Sequence, residues 1–75
     1  MKIERIIGGK AVGRPKLYAN GKFKCHPNGD NKTPVWCSSL GEVADYLRAN
    51  PGSGVRMDPG GGKISENLFI DGVAR

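Results

Sequence analysis

Side chains that carry out catalysis or bind metals are scarce in this sequence. The 75 residues include one histidine and two cysteines, which are Cys25, His26 and Cys37. A structural zinc site normally takes four ligands, and neighbouring strand residues such as Cys25 and His26 point to opposite faces of a sheet. A nucleophile activated by histidine also needs a group that orients the base, and none is evident. We therefore expect no metal, no cofactor and no catalytic residue, so that the protein is not an enzyme.

The sequence also lacks a long hydrophobic run. No stretch approaches the roughly 18 consecutive apolar residues that a membrane span needs. The first ten residues, MKIERIIGGK, alternate in polarity where a signal peptide would carry an apolar block. We therefore expect a cytoplasmic location and no membrane contact. A disulfide between Cys25 and Cys37 is geometrically conceivable, but a cytoplasmic chain favours two reduced thiols, at least one of them buried.

What the sequence does contain is a strong charge asymmetry. Residues 1–32 hold eight basic and two acidic residues, a net charge of +6, whereas residues 33–75 have a net charge of −1. Such an asymmetry favours an anionic partner, either nucleic acid or an acidic protein surface. The alternative is that the charge only keeps a small protein in solution.

The strongest local signal is the dipeptide Asn20-Gly21, which is typical of a two-residue hairpin turn. Because such a turn fixes the register, it predicts that Tyr18 lies opposite Phe23 and that both rings point into the core. The opposite, solvent-facing side then carries two lysines, Lys22 and Lys24. An aromatic surface for stacking bases is not expected from this register.

A single amphipathic helix is predicted over about residues 39–50. Ser39 and Glu42 have the spacing of a capping box, and the apolar residues that follow repeat at helical intervals. The stop is Asn50-Pro51-Gly52. Strands are predicted on both sides of this helix. Before it, a second, looser hairpin runs through the turn formers of residues 27–32 to a return strand at 33–37. After it, a third hairpin is predicted between residues 54–58 and 63–70 around a glycine-rich loop at 59–62. Residues 73–75 are expected to fray.

These elements define one small α+β domain over residues 1–75. Its mainly antiparallel sheet has four to five short strands in hairpins, with one helix on one face and the order β-β-β-α-β-β. At this length the core is expected to be thin. The predicted core residues are Ile3 or Ile7, Tyr18, Phe23, Val35, Leu40, Val43, Leu47, Val55, Ile64, Leu68 and Ile70.

One short motif also points to DNA. Gly13-Arg14-Pro15 resembles the centre of the AT-hook, in which an extended arm lays an arginine into the minor groove of A·T-rich DNA. The resemblance covers three or four residues, and Val12 stands where the AT-hook has another arginine. The alternative is that Pro15 only stiffens the entry into the hairpin.

The sequence thus favours a small basic module that binds nucleic acid through its N-terminal hairpin. The expected phosphate contacts are Arg14, Lys16, Lys22 and Lys24. The alternative is a protein-interaction or inhibitor-type module that acts through an exposed sheet edge or as a homodimer. Trp36 is the residue that discriminates between the two, because an exposed Trp36 favours the second.

Overall fold

The protein is an α+β structure in which one helix packs against antiparallel strands. The structure is a computed structural model that describes residues 1–29, 33–60 and 65–75. Its elements are β1 (Ile3–Ile7), β2 (Lys10–Pro15), β3 (Phe23–His26), β4 (Val35–Cys37), α1 (Leu40–Ala49), β5 (Gly54–Val55), β6 (Met57–Asp58), β7 (Leu68–Ile70) and β8 (Val73–Ala74). The predicted fold class is confirmed. The described ranges hold eight strands instead of four or five, since several are only two residues long.

The strands form two antiparallel sheets. One has the order β6-β2-β1-β7-β8 and the other the order β4-β3-β5. Arg56 joins them, because its backbone N–H donates to the Lys24 carbonyl at 2.8 Å and its carbonyl accepts from the Lys16 N–H at 2.8 Å. Residues 54–58 are therefore one extended segment that pairs with β3 at its start and with β2 at its end.

The third predicted hairpin is not formed by the described residues. Strands β5 and β6 pair with β3 and β2, whereas β7 pairs with β1 and β8. Local patterns indicate strands but not their partners, and here the apolar strand β1 aligns Ile3 with Ile70 far along the chain. Ile64 and half of the predicted loop at 59–62, namely residues 61–62, lie outside the described residues. Residues 73–74, for which we expect fraying, form β8.

The first hairpin has a register one residue away from the predicted one. The Tyr18 N–H donates to the Lys22 carbonyl at 3.0 Å, and Leu17 lies opposite Phe23. The loop therefore has three residues, and Gly21 alone takes a positive φ of 75°. The side chain of Asn20 accepts a hydrogen bond from the Lys22 N–H at 3.0 Å, which stabilises this wider turn.

This shift of register corrects the predicted position of Tyr18. A slip of one residue moves a side chain to the other face of a sheet. Tyr18 is consequently only half-buried and lies on the same side as Lys22 and Lys24, while Phe23 packs against the core. The aromatic pair predicted for the core does not exist.

The predicted helix is confirmed, and its N-terminal cap is formed as expected. The Ser39 hydroxyl accepts from the Glu42 N–H at 3.2 Å, and the Glu42 carboxylate accepts from the Ser38 N–H at 2.8 Å. The helix ends at Ala49, and the N–H of the C-cap residue Asn50 donates to the Tyr46 carbonyl. Three buried residues form its inner face, namely Val43, Ala44 and Leu47. In the part of the chain that the structure describes, no helix is long and apolar enough to cross a membrane.

The core lies between this helix and the inner face of the strands. Six predicted core residues are buried, namely Ile3, Val43, Leu47, Val55, Leu68 and Ile70, and three more pack beside them, namely Phe23, Val35 and Leu40. The structure adds Cys25, Cys37, Ala44 and Met57.

Candidate functional site

The three-stranded sheet has one face covered by α1 and one face that does not contact the helix. On the covered face, Cys25 and Val55 are completely buried. Because side chains alternate along a strand, the neighbours of these residues point the other way. The register places Lys24 opposite Trp36, and Arg56 follows Val55 opposite Lys24.

Three basic residues occupy neighbouring backbone positions on this outer face. Lys16 and Lys24 are each hydrogen-bonded through the backbone to Arg56, so the three side chains leave adjacent positions of the ladder. None of the three forms an ion pair with any residue that the structure describes. Like charges directly opposite each other destabilise a sheet, in the range of about 0.2–1 kcal/mol for such cross-strand pairs. The arrangement therefore lowers stability unless an anion joins it.

Two aromatic rings lie beside these cations. Tyr18 and Trp36 meet edge to face, with ring centroids 5.2 Å apart and an interplanar angle of 89°. The Lys16 ammonium lies over the Tyr18 ring, 4.8 Å from its centroid. Trp36 remains 40% exposed, which is a high value for so large an apolar side chain.

These residues together are called the basic aromatic face. They are Lys16, Tyr18, Lys24, Trp36 and Arg56. Ammonium and guanidinium groups bind phosphate, and an exposed aromatic ring stacks on a nucleic-acid base. The face combines these two types of group where the two sheets join, and no carboxylate of the described residues pairs with its cations.

The four predicted phosphate contacts separate into two groups. Lys16 and Lys24 belong to the basic aromatic face, and Lys22 lies next to it, exposed and opposite Tyr18. Arg14 lies further along β2, opposite Asp58. The structure therefore brings three of the four predicted phosphate contacts to one area and leaves the fourth, Arg14, beside an acidic residue.

The AT-hook interpretation is wrong, because Gly13–Pro15 is not an extended arm. This segment lies inside β2, which is hydrogen-bonded to β1 on one side and to β6 on the other. Its backbone is already paired and does not reach into a groove as the AT-hook does. The alternative, a structural role at the entry to the hairpin, fits this position.

Arg56 is a residue of the face that was not predicted from the sequence. A signal for it exists, since Val55 and Met57 are apolar and an alternating strand places the residue between them outward. What the sequence does not contain is the pairing of this short segment with both β2 and β3, which brings Arg56 between two lysines.

His26 lies at the border of this face and is 8% exposed. Both of its ring nitrogens are buried without a hydrogen-bond partner among the described residues. Burial lowers the pKa of His26 below its usual value of 6.5, and the positive charges of Lys24 and Arg56 lower it further. The imidazole is therefore neutral at pH 7.

Cys25 and Cys37 are two free thiols on the opposite, helix-covered face, as expected, with their sulfur atoms 3.7 Å apart. Burial, followed by the neighbouring Cys37, raises the pKa of Cys25 to about 12. A thiol of this kind is a poor nucleophile because the thiolate is the reactive form. Among the described residues, no three histidine, cysteine, aspartate or glutamate side chains are placed to hold a metal ion.

No protein-family model, curated protein or solved structure matches the chain. Function is therefore inferred from the residues of the basic aromatic face.

Proposed function

We propose that the protein is a non-enzymatic module that binds nucleic acid through the basic aromatic face. The proposal is supported above all by the adjacent positions of Lys16, Lys24 and Arg56. Backbone hydrogen bonds from Lys16 and Lys24 to Arg56 hold the three residues next to one another. A phosphate bound among them replaces mutual repulsion by charge-assisted hydrogen bonds. We also propose a cytoplasmic location for the protein, which is the location expected from its sequence.

The other two predicted phosphate contacts, Lys22 and Arg14, are expected to contribute unequally to binding. Lys22 is exposed beside the face and adds a further phosphate contact where the bound strand extends past Tyr18. Arg14 contributes less, because Asp58 lies opposite it and presents a negative charge to the same ligand.

A salt titration of binding tests the proposal. Three to four phosphate contacts predict a slope of log K against log salt of about −2 to −4, depending on whether the ligand is single- or double-stranded. The double variant Lys24→Gln/Arg56→Gln should remove two of these contacts and make the slope shallower by about 1.4–1.8.

The matched control is the double variant Lys10→Gln/Arg48→Gln, which removes the same charge from exposed positions outside the face. It should retain most of the affinity. If both double variants weaken binding equally, net charge alone causes the binding and the proposed face is wrong. The absence of binding to single strands and duplexes at low salt would refute the function itself.

The exposure of Trp36 supports a second candidate function, a protein-interaction module. Among the described residues, β4 pairs only with β3, so its other edge is open for strand addition. A homodimer formed in this way would double the mass in light scattering and shift Trp36 fluorescence to shorter wavelength as concentration rises. A monomer at all concentrations excludes the homodimer, and an acidic protein partner remains the other form of this candidate.

A further inference from the structure

We infer that the nucleic acid bound by the basic aromatic face is single-stranded, with one unpaired base stacked on Trp36 and the adjoining phosphates at Lys24 and Arg56. This inference rests on the proposed function and adds the class of ligand to it. Three features of the face lead to it: the accessibility of the two rings, the order of residues across the sheet, and the position of Trp36 within a strand.

The first feature is that the two rings are not equally accessible. One side of the Tyr18 ring is covered by the Lys16 ammonium, and the ring also contacts Trp36. Tyr18 therefore supports Trp36, and the indole of Trp36, 40% exposed, is the surface that remains for a base. Stacking on such a ring is tolerant of sequence because every base has a π-face.

The second feature is a row of residues that crosses the sheet at right angles to its strands. Trp36 lies opposite Lys24, and Lys24 lies opposite Arg56, on three neighbouring strand positions. With strands about 4.8 Å apart, the row is about 10 Å long. Successive phosphates of one strand are about 3.4 Å apart along the axis of duplex DNA, and an extended single strand spaces them more widely. A row of this length therefore accommodates one base and its adjoining phosphates.

The third feature is that Trp36 lies within a strand and not on a protruding loop. In a duplex, the faces of the bases are covered by their neighbours, so a ring in a sheet reaches them only after unstacking. A duplex placed on this face would cover Trp36 with its sugar-phosphate backbone and leave the indole without a stacking partner. A single strand provides both the exposed base and the phosphates.

Three probes distinguish these possibilities when used with the whole chain at low salt. They are a single-stranded thymidine 10-mer, a 10-mer of the same deoxyribose-phosphate backbone without bases, and a 10-base-pair duplex. Trp36 is the only tryptophan, so its fluorescence reports directly on the site. We expect the thymidine 10-mer to quench it and to bind tightest. The abasic 10-mer should bind about 5- to 150-fold more weakly, as loss of one stacked base predicts.

Variants then assign this difference to Trp36, with binding followed by anisotropy of a labelled oligonucleotide. Trp36→Ala should bind the thymidine and abasic 10-mers equally, whereas Trp36→Phe should keep part of the preference. The matched control is Leu17→Ala, which removes another exposed apolar side chain, 62% exposed, and should leave the preference unchanged.

The outcomes separate the two proposals. Equal binding of the thymidine and abasic 10-mers by the wild-type chain overturns the single-strand inference, and so does tighter binding of the duplex. Either result leaves nucleic-acid binding itself intact. If none of the three probes binds at low salt, both proposals fail, and the exposed Trp36 then favours a protein partner.

Discussion

The rings of Tyr18 and Trp36 lie edge to face, 5.2 Å apart, although the residues are 18 positions apart in the chain. The strand registers of the first and second hairpins bring the two rings together. Tyr18 pairs with Lys22 across the first hairpin, and Trp36 lies opposite Lys24 across the second. Since Lys22 and Lys24 are two residues apart in one extended segment, they point to the same side, and both aromatic rings lie on the side of these lysines.

The aromatic contact should contribute measurably to stability. Such pairs are worth about 0.5–1.5 kcal/mol beyond the area they bury. We expect a double-mutant cycle with Tyr18→Ala and Trp36→Ala to give a coupling energy in that range, measured by urea unfolding. A cycle with Leu17→Ala in place of Tyr18→Ala is the control, because that side chain lies on the other side of the strand. Equal coupling in both cycles would contradict the contact.

The cation cluster should make the protein less stable at low ionic strength. Screening weakens repulsion among Lys16, Lys24 and Arg56, so the free energy of unfolding should rise between 10 mM and 500 mM salt. Arg56→Gln should raise stability at low salt by about 0.2–1 kcal/mol and flatten this dependence. Lys10→Gln, an exposed position at the start of β2, should do neither. A wild-type stability that falls with salt would argue against repulsion as the dominant interaction.

The two thiols should be unreactive in the folded protein. Burial raises the pKa of Cys25 to about 12, and Cys37 is also buried. A thiol-specific disulfide reagent at pH 8 should therefore modify neither residue until the chain unfolds, and both should react at once in denaturant. The variants Cys25→Ala and Cys37→Ala identify which thiol reacts if one does. Rapid modification of the native protein would show that α1 does not cover this face.

The helix and the approximate strand positions were predictable because their signals are local. The cap formed by Ser39 and Glu42 and the spacing of Val43 and Leu47 depend on residues within two turns. Even the position of the first hairpin follows from Asn20-Gly21. The register of this hairpin could not be predicted from Asn20-Gly21, because the same dipeptide fits a two-residue or a three-residue loop. The hydrogen bond from the Lys22 N–H to the Asn20 side chain favours the three-residue loop.

The candidate site was predictable only in part for a related reason. Lys16 and Lys24 are evident from composition, but their relation to Trp36 and Arg56 depends on register and on long-range pairing. One residue of register error placed Tyr18 in the core and removed the aromatic component from the predicted surface. Arg56 became part of the site through a segment that pairs with two different strands, and no local pattern encodes such a choice of partners.

His26 should report the positive charge of this face through its titration. It is the only histidine, so its ring protons give one resolved NMR titration. Because burial and then Lys24 and Arg56 lower its pKa, the midpoint should lie below 6.5. The unfolded chain then binds the proton more tightly than the folded one, so stability is full above pH 6.5 and falls as the pH drops through 6.5 towards the folded midpoint.

The same titration tests occupancy of the face by an anion. A phosphate at Lys24 and Arg56 offsets the charge that disfavours protonation of His26, so a thymidine 10-mer should move the midpoint upward. Arg56→Gln should also raise the midpoint without ligand, and Lys10→Gln, outside the face, should leave it unchanged. If the oligonucleotide binds but the midpoint stays constant, the phosphates lie away from Lys24 and Arg56, and the charge of another surface must hold the strand.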